Sequence, residues 1–283
     1  MEPKPTGVRA RARAEFVGEI KAAARSQLRT DGADSLSLRA VARQLGVASS
    51  ALYRYFPSRD DLLTALISDA YGDLASAAER ATVESAGKPF VERWVSLARA
   101  IRSWALKHRH EYALIYGSPV PGYVAPPETA KPARRLTSTW LSVLTDAAAD
   151  GELLQHRFDA PPATAEALDV IRSLSQDAIG RSSAAHPDGA ELSDGQLRAA
   201  TGVWTQLFGH LSFELFGQFQ NVVADPEEFF DFQAARPTIR LVEGVTRAVE
   251  WPEVEVWAAH APRAPRDLVL VSGPEPSMRW RTF

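Results

Sequence analysis

Cysteine is absent from all 283 residues. Neither a disulfide framework nor thiolate chemistry is therefore available to this chain. A reducing compartment suits it, and a cytoplasmic location is expected. Long apolar runs are missing as well: no stretch of about 18 uncharged apolar residues occurs, so no membrane-spanning helix is expected. The opening Met1-Glu2-Pro3-Lys4-Pro5 has no apolar segment behind its charges, and no secretory leader is expected there. HExxH, GxSxG, P-loop and GxGxxG signatures are all wanting. The six histidines are scattered, and His108 and His110, two apart, would point to different sides of a helix. No metal, no cofactor and no enzymatic activity are expected.

What remains is ordinary globular material. Hydrophobic residues are 45% and charged residues 24% of the chain, which excludes a mostly disordered protein, a collagen and a coiled-coil rod. The length suits roughly two domains. The net charge of −3 hides an uneven division. Residues 1–60 carry 11 Lys and Arg against six Asp and Glu, a net of +5. The remainder carries 21 against 29, a net of −8. A basic head on an acidic body points toward a polyanion partner at one end, although charge alone favours a solvated face.

Nearly everything up to residue 235 reads as helix. Phe16, Ile20, Ala24 and Leu28 recur every four positions within 10–30, and Asp31-Gly32 ends that segment. A second helix runs from Ser37 to Leu45, closed by Gly46, and a third covers about 48–56. Ser58 and Asp61 form the [ST]-x-x-[DE] start of a fourth, which continues through Leu62, Leu66, Ala70 and Leu74. Another opens after Gly87-Lys88-Pro89, with Trp94, Leu97, Ile101 and Trp104 or Ala105 inward. Gly117 to Pro127 holds four prolines and two glycines and reads as a loop. Helices are then expected at 128–150, 162–180, 194–220 and 226–235. Residues 237–283 contain six prolines and only two short alternating pieces, Val254–Trp257 and Leu268–Val271, too short to stand as strands alone. Residues 236–283 read as a Pro-rich, poorly ordered tail or an accessory piece.

The stretch 36–63 carries the chemistry. Two short helices flank Leu45-Gly46-Val47, where Gly46 supplies the positive φ that a sharp interhelical turn needs. Ala42 is small enough to let the next helix cross closely. Leu38, Val41, Leu45, Val47, Leu52 and Phe56 can bury together. This is the sequence form of a helix-turn-helix, at about 37–56, whose second helix enters the roughly 12 Å wide DNA major groove. Ser49, Ser50, Tyr53, Arg54 and Tyr55 would line its outer face, with no carboxylate among them. Arg forks onto guanine, Ser contacts several bases and a Tyr hydroxyl donates to phosphate. Ser37 with Arg39, and Arg59, stand at helix starts, whose free N–H groups attract phosphate. Arg9, Arg11 and Arg13 form either a solvated helix start or an arm along the minor groove.

Residues 14–74 resemble the TetR family of bacterial regulators through Gly46-Val47, Leu52-Tyr53-Arg54-Tyr55-Phe56, Pro57-Ser58-Arg59 and Leu62-Leu63. The resemblance implies an all-α homodimer that binds an operator and is released by a small molecule. By position it implies that Ser37 and Arg39 touch the DNA backbone, with a base within their reach. Ser49, Ser50 and Arg54 would face base edges, and Tyr53, Tyr55 and Arg59 would hold phosphates. Trp204–Phe219 and 110–126 resemble a subgroup with a Trp…Gly signature in its effector domain. The domain reading is a helix-turn-helix head at 1–60 and a helical effector-binding and dimerisation body at 61–235. Helices 162–180 and 194–220 would pair with their mates across the dimer, where Gly209 and Gly217 let a helix approach. Trp94, Trp104, Tyr112, Tyr116 and Trp140 are the aromatic candidates for an effector pocket, with His210 and Glu214 as polar anchors. That bias suits an apolar or aromatic ligand. Repression is the expected role. An activator, a constitutive DNA-binding protein or a ligand-binding helical protein with a vestigial head are the alternatives.

Overall fold

The computed structural model describes residues 7–153, 168–178 and 190–239. Helix α1 spans Val8–Asp31, α2 Leu38–Gln44, α3 Ser49–Tyr53 and α4 Arg59–Glu84. Helix α5 spans Phe90–Lys107, α6 Arg109–Tyr116, α7 Ala130–Ala149, α8 Asp169–Ala178, α9 Asp194–Leu215 and α10 Pro226–Ile239, with a 3₁₀ turn at Pro127–Thr129. No strand occurs among the described residues, and the fold is all-α. The short pieces Val254–Trp257 and Leu268–Val271 and the rest of the tail lie outside the described residues, as do the flanks of α8 within the expected 162–180.

Local chemistry accounts for the helix ends. Ser58 Oγ accepts the Asp61 N–H at 3.1 Å, closing the first turn of α4. Ser193 and Gln196 form a reciprocal capping box at the start of α9, with bonds of 3.3 and 2.9 Å. Gly46 turns the chain between α2 and α3 at φ 68°, a conformation that a β-carbon resists. Gly117 ends α6 for a different reason: a β-carbon there would stand 2.3 Å from the Ala113 carbonyl oxygen.

Two differences from the sequence reading have physical causes. The helix expected to open after Gly87-Lys88-Pro89 ends at Lys107, and a bend at His108, with φ −120° and ψ 49°, separates α5 from α6. No proline or glycine marks that bend; stacking of the His108 ring on Trp104 at 5.2 Å accompanies it. Helix α9 stops at Leu215 rather than 220, because Gly217 adopts φ 81° and redirects the chain. Gly217 is thus a turn residue, not a helix-packing glycine.

Buried side chains fall into two clusters. Ile20, Ala24 and Leu28 of α1, Leu38, Val41 and Ala42 of α2, Leu52, Phe56 and Leu62, Leu63 and Leu66 of α4 form the head core. Ala70, Leu74, Ala75 and Ala78 of α4 join α5, α7 and α9 in the body core. The boundary at residue 60 falls at the first turn of α4, whereas α4 changes from one core to the other between Leu66 and Ala70. Helix α4 therefore belongs to both. The 117–126 loop also reaches the head: Val120 is buried in its core, and the Tyr123 hydroxyl lies 2.9 Å from Thr64 Oγ1. Lys21 and Arg25 of α1 both pair with Asp69 of α4, at 2.9 and 2.8 Å. Inside the body, the buried Arg93 and Asp146 form an ion pair at 3.5 Å, and Arg93 also donates to the Val143 carbonyl. No described helix is long and apolar enough to cross a membrane.

Candidate nucleic-acid interface

From Ser35 to Arg59 the chain contains no Asp or Glu. Folding places this acid-free stretch on α2, α3 and the first residue of α4. Hydrophobic residues Leu38, Val41, Leu52 and Phe56 turn inward, which forces their polar neighbours outward. Arg39, Arg43, Gln44, Ser50, Tyr53 and Arg54 are exposed; Ser37, Ser49, Tyr55 and Arg59 are half-buried. The turn between the helices is held by the Val47 N–H, which donates to the Ala42 carbonyl at 3.0 Å. Arg43 and Gln44 extend the same exposed basic face and were missed, although their place on the outer side of α2 follows from its buried Leu38, Val41 and Ala42.

Side chains on this face differ in freedom. Tyr53 is 44% exposed, unusual for so large a ring. The Tyr55 ring instead packs edge-on against Phe16 at 5.1 Å, with the Arg13 guanidinium 4.7 Å from its centroid. Arg9, Arg11 and Arg13 lie on the first turns of α1 and are exposed. Arg59 donates through Nε to the Leu36 carbonyl at 3.2 Å, and through Nη2 to the Ala33 and Asp34 carbonyls at 3.0 and 3.4 Å.

The pocket candidates divide into separate places. Trp94 meets Trp140 edge-on at 6.4 Å, Trp140 stacks on Trp204 at 4.9 Å, Trp204 meets Phe208 at 4.7 Å, Phe208 meets Tyr116 at 4.4 Å, and Tyr116 meets Tyr112 at 5.2 Å. This is one continuous aromatic chain joining α5, α7, α9 and α6. Burial raises the Tyr112 and Tyr116 hydroxyls above their ordinary titration range, so both stay protonated. The Trp104 and Trp140 indole N–H groups are buried without an acceptor. Trp104 stands apart from the chain, against His108.

His210 and Glu214 lie on the other side of α9. His210 is ringed by Phe219, Phe229 and Phe230 at 4.9, 5.4 and 5.2 Å. With Trp94, Gln206 and Gln233 it borders a void of about 10 Å³, room for one water. Burial lowers its pKa; the Glu214 carboxylate opposes this and Arg102 adds to it. Glu214 is held by a fork from Arg102, with bonds of 2.7 to 3.3 Å. Among the described residues no group of three or more His, Cys, Asp and Glu is gathered to hold a metal ion.

An acid-free helix-turn-helix standing on a helical body defines a DNA-binding transcription regulator. Residues 20–66 match the model of bacterial regulatory proteins of the tetR family, and residues 94–237 match that of the tetracyclin repressor-like C-terminal domain. The HTH-type transcriptional regulator Rv1816 of Mycobacterium tuberculosis is 36% identical over 229 residues, covering 80% of this chain and 92% of its own. The regulator Mb1846 of Mycobacterium bovis matches to the same extent. The crystal structure of regulatory protein SCO4313 is 33% identical, covers 82% of this chain and 98% of its own, and superposes with a TM-score of 0.61. A Rhodococcus sp. RHA1 protein of unknown function is 25% identical, with 86% and 100% covered and a TM-score of 0.58. The chain belongs to the TetR family of transcriptional regulators. A model of the PAC2 family also matches, at residues 199–283. It overlaps the C-terminal domain match and takes in the Pro-rich tail, which the TetR resemblance leaves out.

Proposed function

We propose that this protein is a homodimeric repressor that acts in the cytoplasm and leaves its operator when a small apolar or aromatic molecule occupies the helical body. The observation that carries the reading is the exposed, acid-free face of α2 and α3. Ser49, Ser50 and Arg54 read base edges in the major groove, while Ser37, Arg39 and Tyr53 hold the sugar-phosphate backbone. In the dimer two such faces lie about 34–36 Å apart, one helical turn of DNA.

Support for self-association comes from the outer side of α9. Gly202, Gln206, Gly209, Phe213 and Phe216 are exposed along it, with Phe213 54% and Phe216 47% open. Small residues there admit a second helix closely, and the two rings offer apolar surface to it. Val170 on α8 is likewise exposed. A stable dimer would cover these with about 1,200 Å² or more of total buried surface.

For the effector, the aromatic chain from Trp94 to Tyr112 supplies an apolar lining. An acceptor oxygen on the ligand would satisfy the indole N–H of Trp140, now buried without one. Binding there lowers DNA affinity by linkage, since Tyr71 of α4 meets Tyr116 of this chain at 6.0 Å and both α4 and Leu114 of α6 pack into the head core. A thermal-shift screen of aromatic and apolar compounds, followed by gel shift on a selected operator, tests the reading. A compound that raises the melting temperature and releases DNA supports it. Compounds that stabilise the protein yet leave the DNA complex intact contradict ligand-released repression.

A further inference from the structure

We infer that Arg59 and Gln27 are positioning residues of the reading face, and that Arg59 holds a loop rather than a phosphate. The inference rests on the DNA-binding reading above and assigns a different role to one residue within it.

The loop between α1 and α2, residues 32–37, makes little regular structure of its own; its internal backbone bond is Leu36 N–H to the Ala33 carbonyl, at 3.3 Å. It is held from both sides. From α4, Arg59 reaches the carbonyls of Ala33, Asp34 and Leu36 through Nε and Nη2. From α1, Gln27 presents Oε1 to the Ser37 N–H at 3.2 Å. Gln27 is only 7% exposed, so this acceptor is built into the head core. One residue thus ties down the loop's oxygens and the other its last N–H. The loop delivers Ser37 and Arg39, and it sets where α2 begins against α1 and α4.

Charge counting alone would send Arg59 to a phosphate. The geometry argues otherwise. Three of the five guanidinium N–H groups point at carbonyls. The remaining nitrogen, Nη1, lies 3.6 Å from Asp60 Oδ1, which offsets its charge. A planar fork matches three spread acceptors; a lysine ammonium carries the same charge but cannot reproduce the fork. The two roles therefore separate on a charge-preserving substitution.

The test is a DNA-binding titration across a range of salt, using full-length protein and a duplex recovered by selection against the wild type. Each variant is measured well below its melting temperature, with circular dichroism confirming the fold. Arg59→Lys and Arg59→Gln are expected to weaken binding alike, by about tenfold, with the slope of log affinity against log salt unchanged. Gln27→Met, which keeps shape and removes the acceptor, is expected to do the same, and amide exchange at Ser37 should quicken in all three. Wild-type affinity for Arg59→Lys, with a slope reduced by about 0.9 for Arg59→Gln, would overturn the assignment in favour of a phosphate contact. Unchanged affinity in Gln27→Met would overturn the second half. If the wild type itself recovers no duplex, the DNA-binding reading fails and the inference falls with it.

Discussion

Arg54, at the C-cap of α3, is an exposed cation with the reach to fork onto a guanine. Replacing it with alanine should cost about 1–3 kcal/mol at one operator position and relax preference there. Repeating operator selection with Arg54→Ala checks this; an unchanged motif would show that Arg54 reads no base. His210 makes a prediction of another kind. It faces Glu214 on its own helix, Arg102 on α5 and the phenyl rings that α10 contributes, while Asp231 and Glu227 of α10 act on Arg102. Burial holds its pKa below 6.5. Below about pH 6.5 the unfolded chain then binds more protons than the folded one, so stability falls as pH drops through this window. His210→Phe should lose less stability than wild type in urea melts compared between about pH 7.5 and 5.5. Parallel losses would mean that His210 is not the group responsible. Residues on the reading face were legible because composition marks them: an acid-free stretch of serines, tyrosines and arginines around a glycine turn. The partners of Arg59 and Tyr55 were not legible. Arg59 bonds to, and Tyr55 packs against, residues more than twenty positions away, and nothing in a local pattern reports where such a side chain ends.

At the level of elements, α4 and the 117–126 loop both enter the head, and they do so differently. Helix α4 was readable as a helix from its capped start and its long apolar stripe. The loop was read only as a loop. Its Val120 sits in the head core, and Tyr123 meets Thr64 on α4. Val120→Ala would leave a cavity in that core at a cost of about 1–3 kcal/mol. Its effect should appear as faster amide exchange in α1–α3, with the body helices α5 and α7 protected as before. Uniform loss across both would show that the loop does not act on the head in particular. The bend at His108 escaped sequence analysis because no helix breaker marks it. Without that bend α6 could not carry Tyr112 and Tyr116 back to α9 while leading into the loop that reaches the head.

For the whole molecule, the division of charge and the division of core tell one story. The basic, acid-free surface belongs to one end, and the apolar helix face left uncovered belongs to α9 at the other. A second copy placed against α9 would set two heads side by side. Phe213→Asp puts a carboxylate into that face; sedimentation analysis should show a monomer, with DNA affinity lost although the head stays folded. A dimer that survives the change would move the interface elsewhere. The most direct test of the account is unbiased operator selection with the full-length protein, followed by footprinting of the enriched duplex. The account predicts a two-fold symmetric site whose half-sites lie one helical turn, about 34–36 Å, apart in the major groove. Enrichment of no motif, or of a single unpaired half-site bound by a monomer, would contradict it.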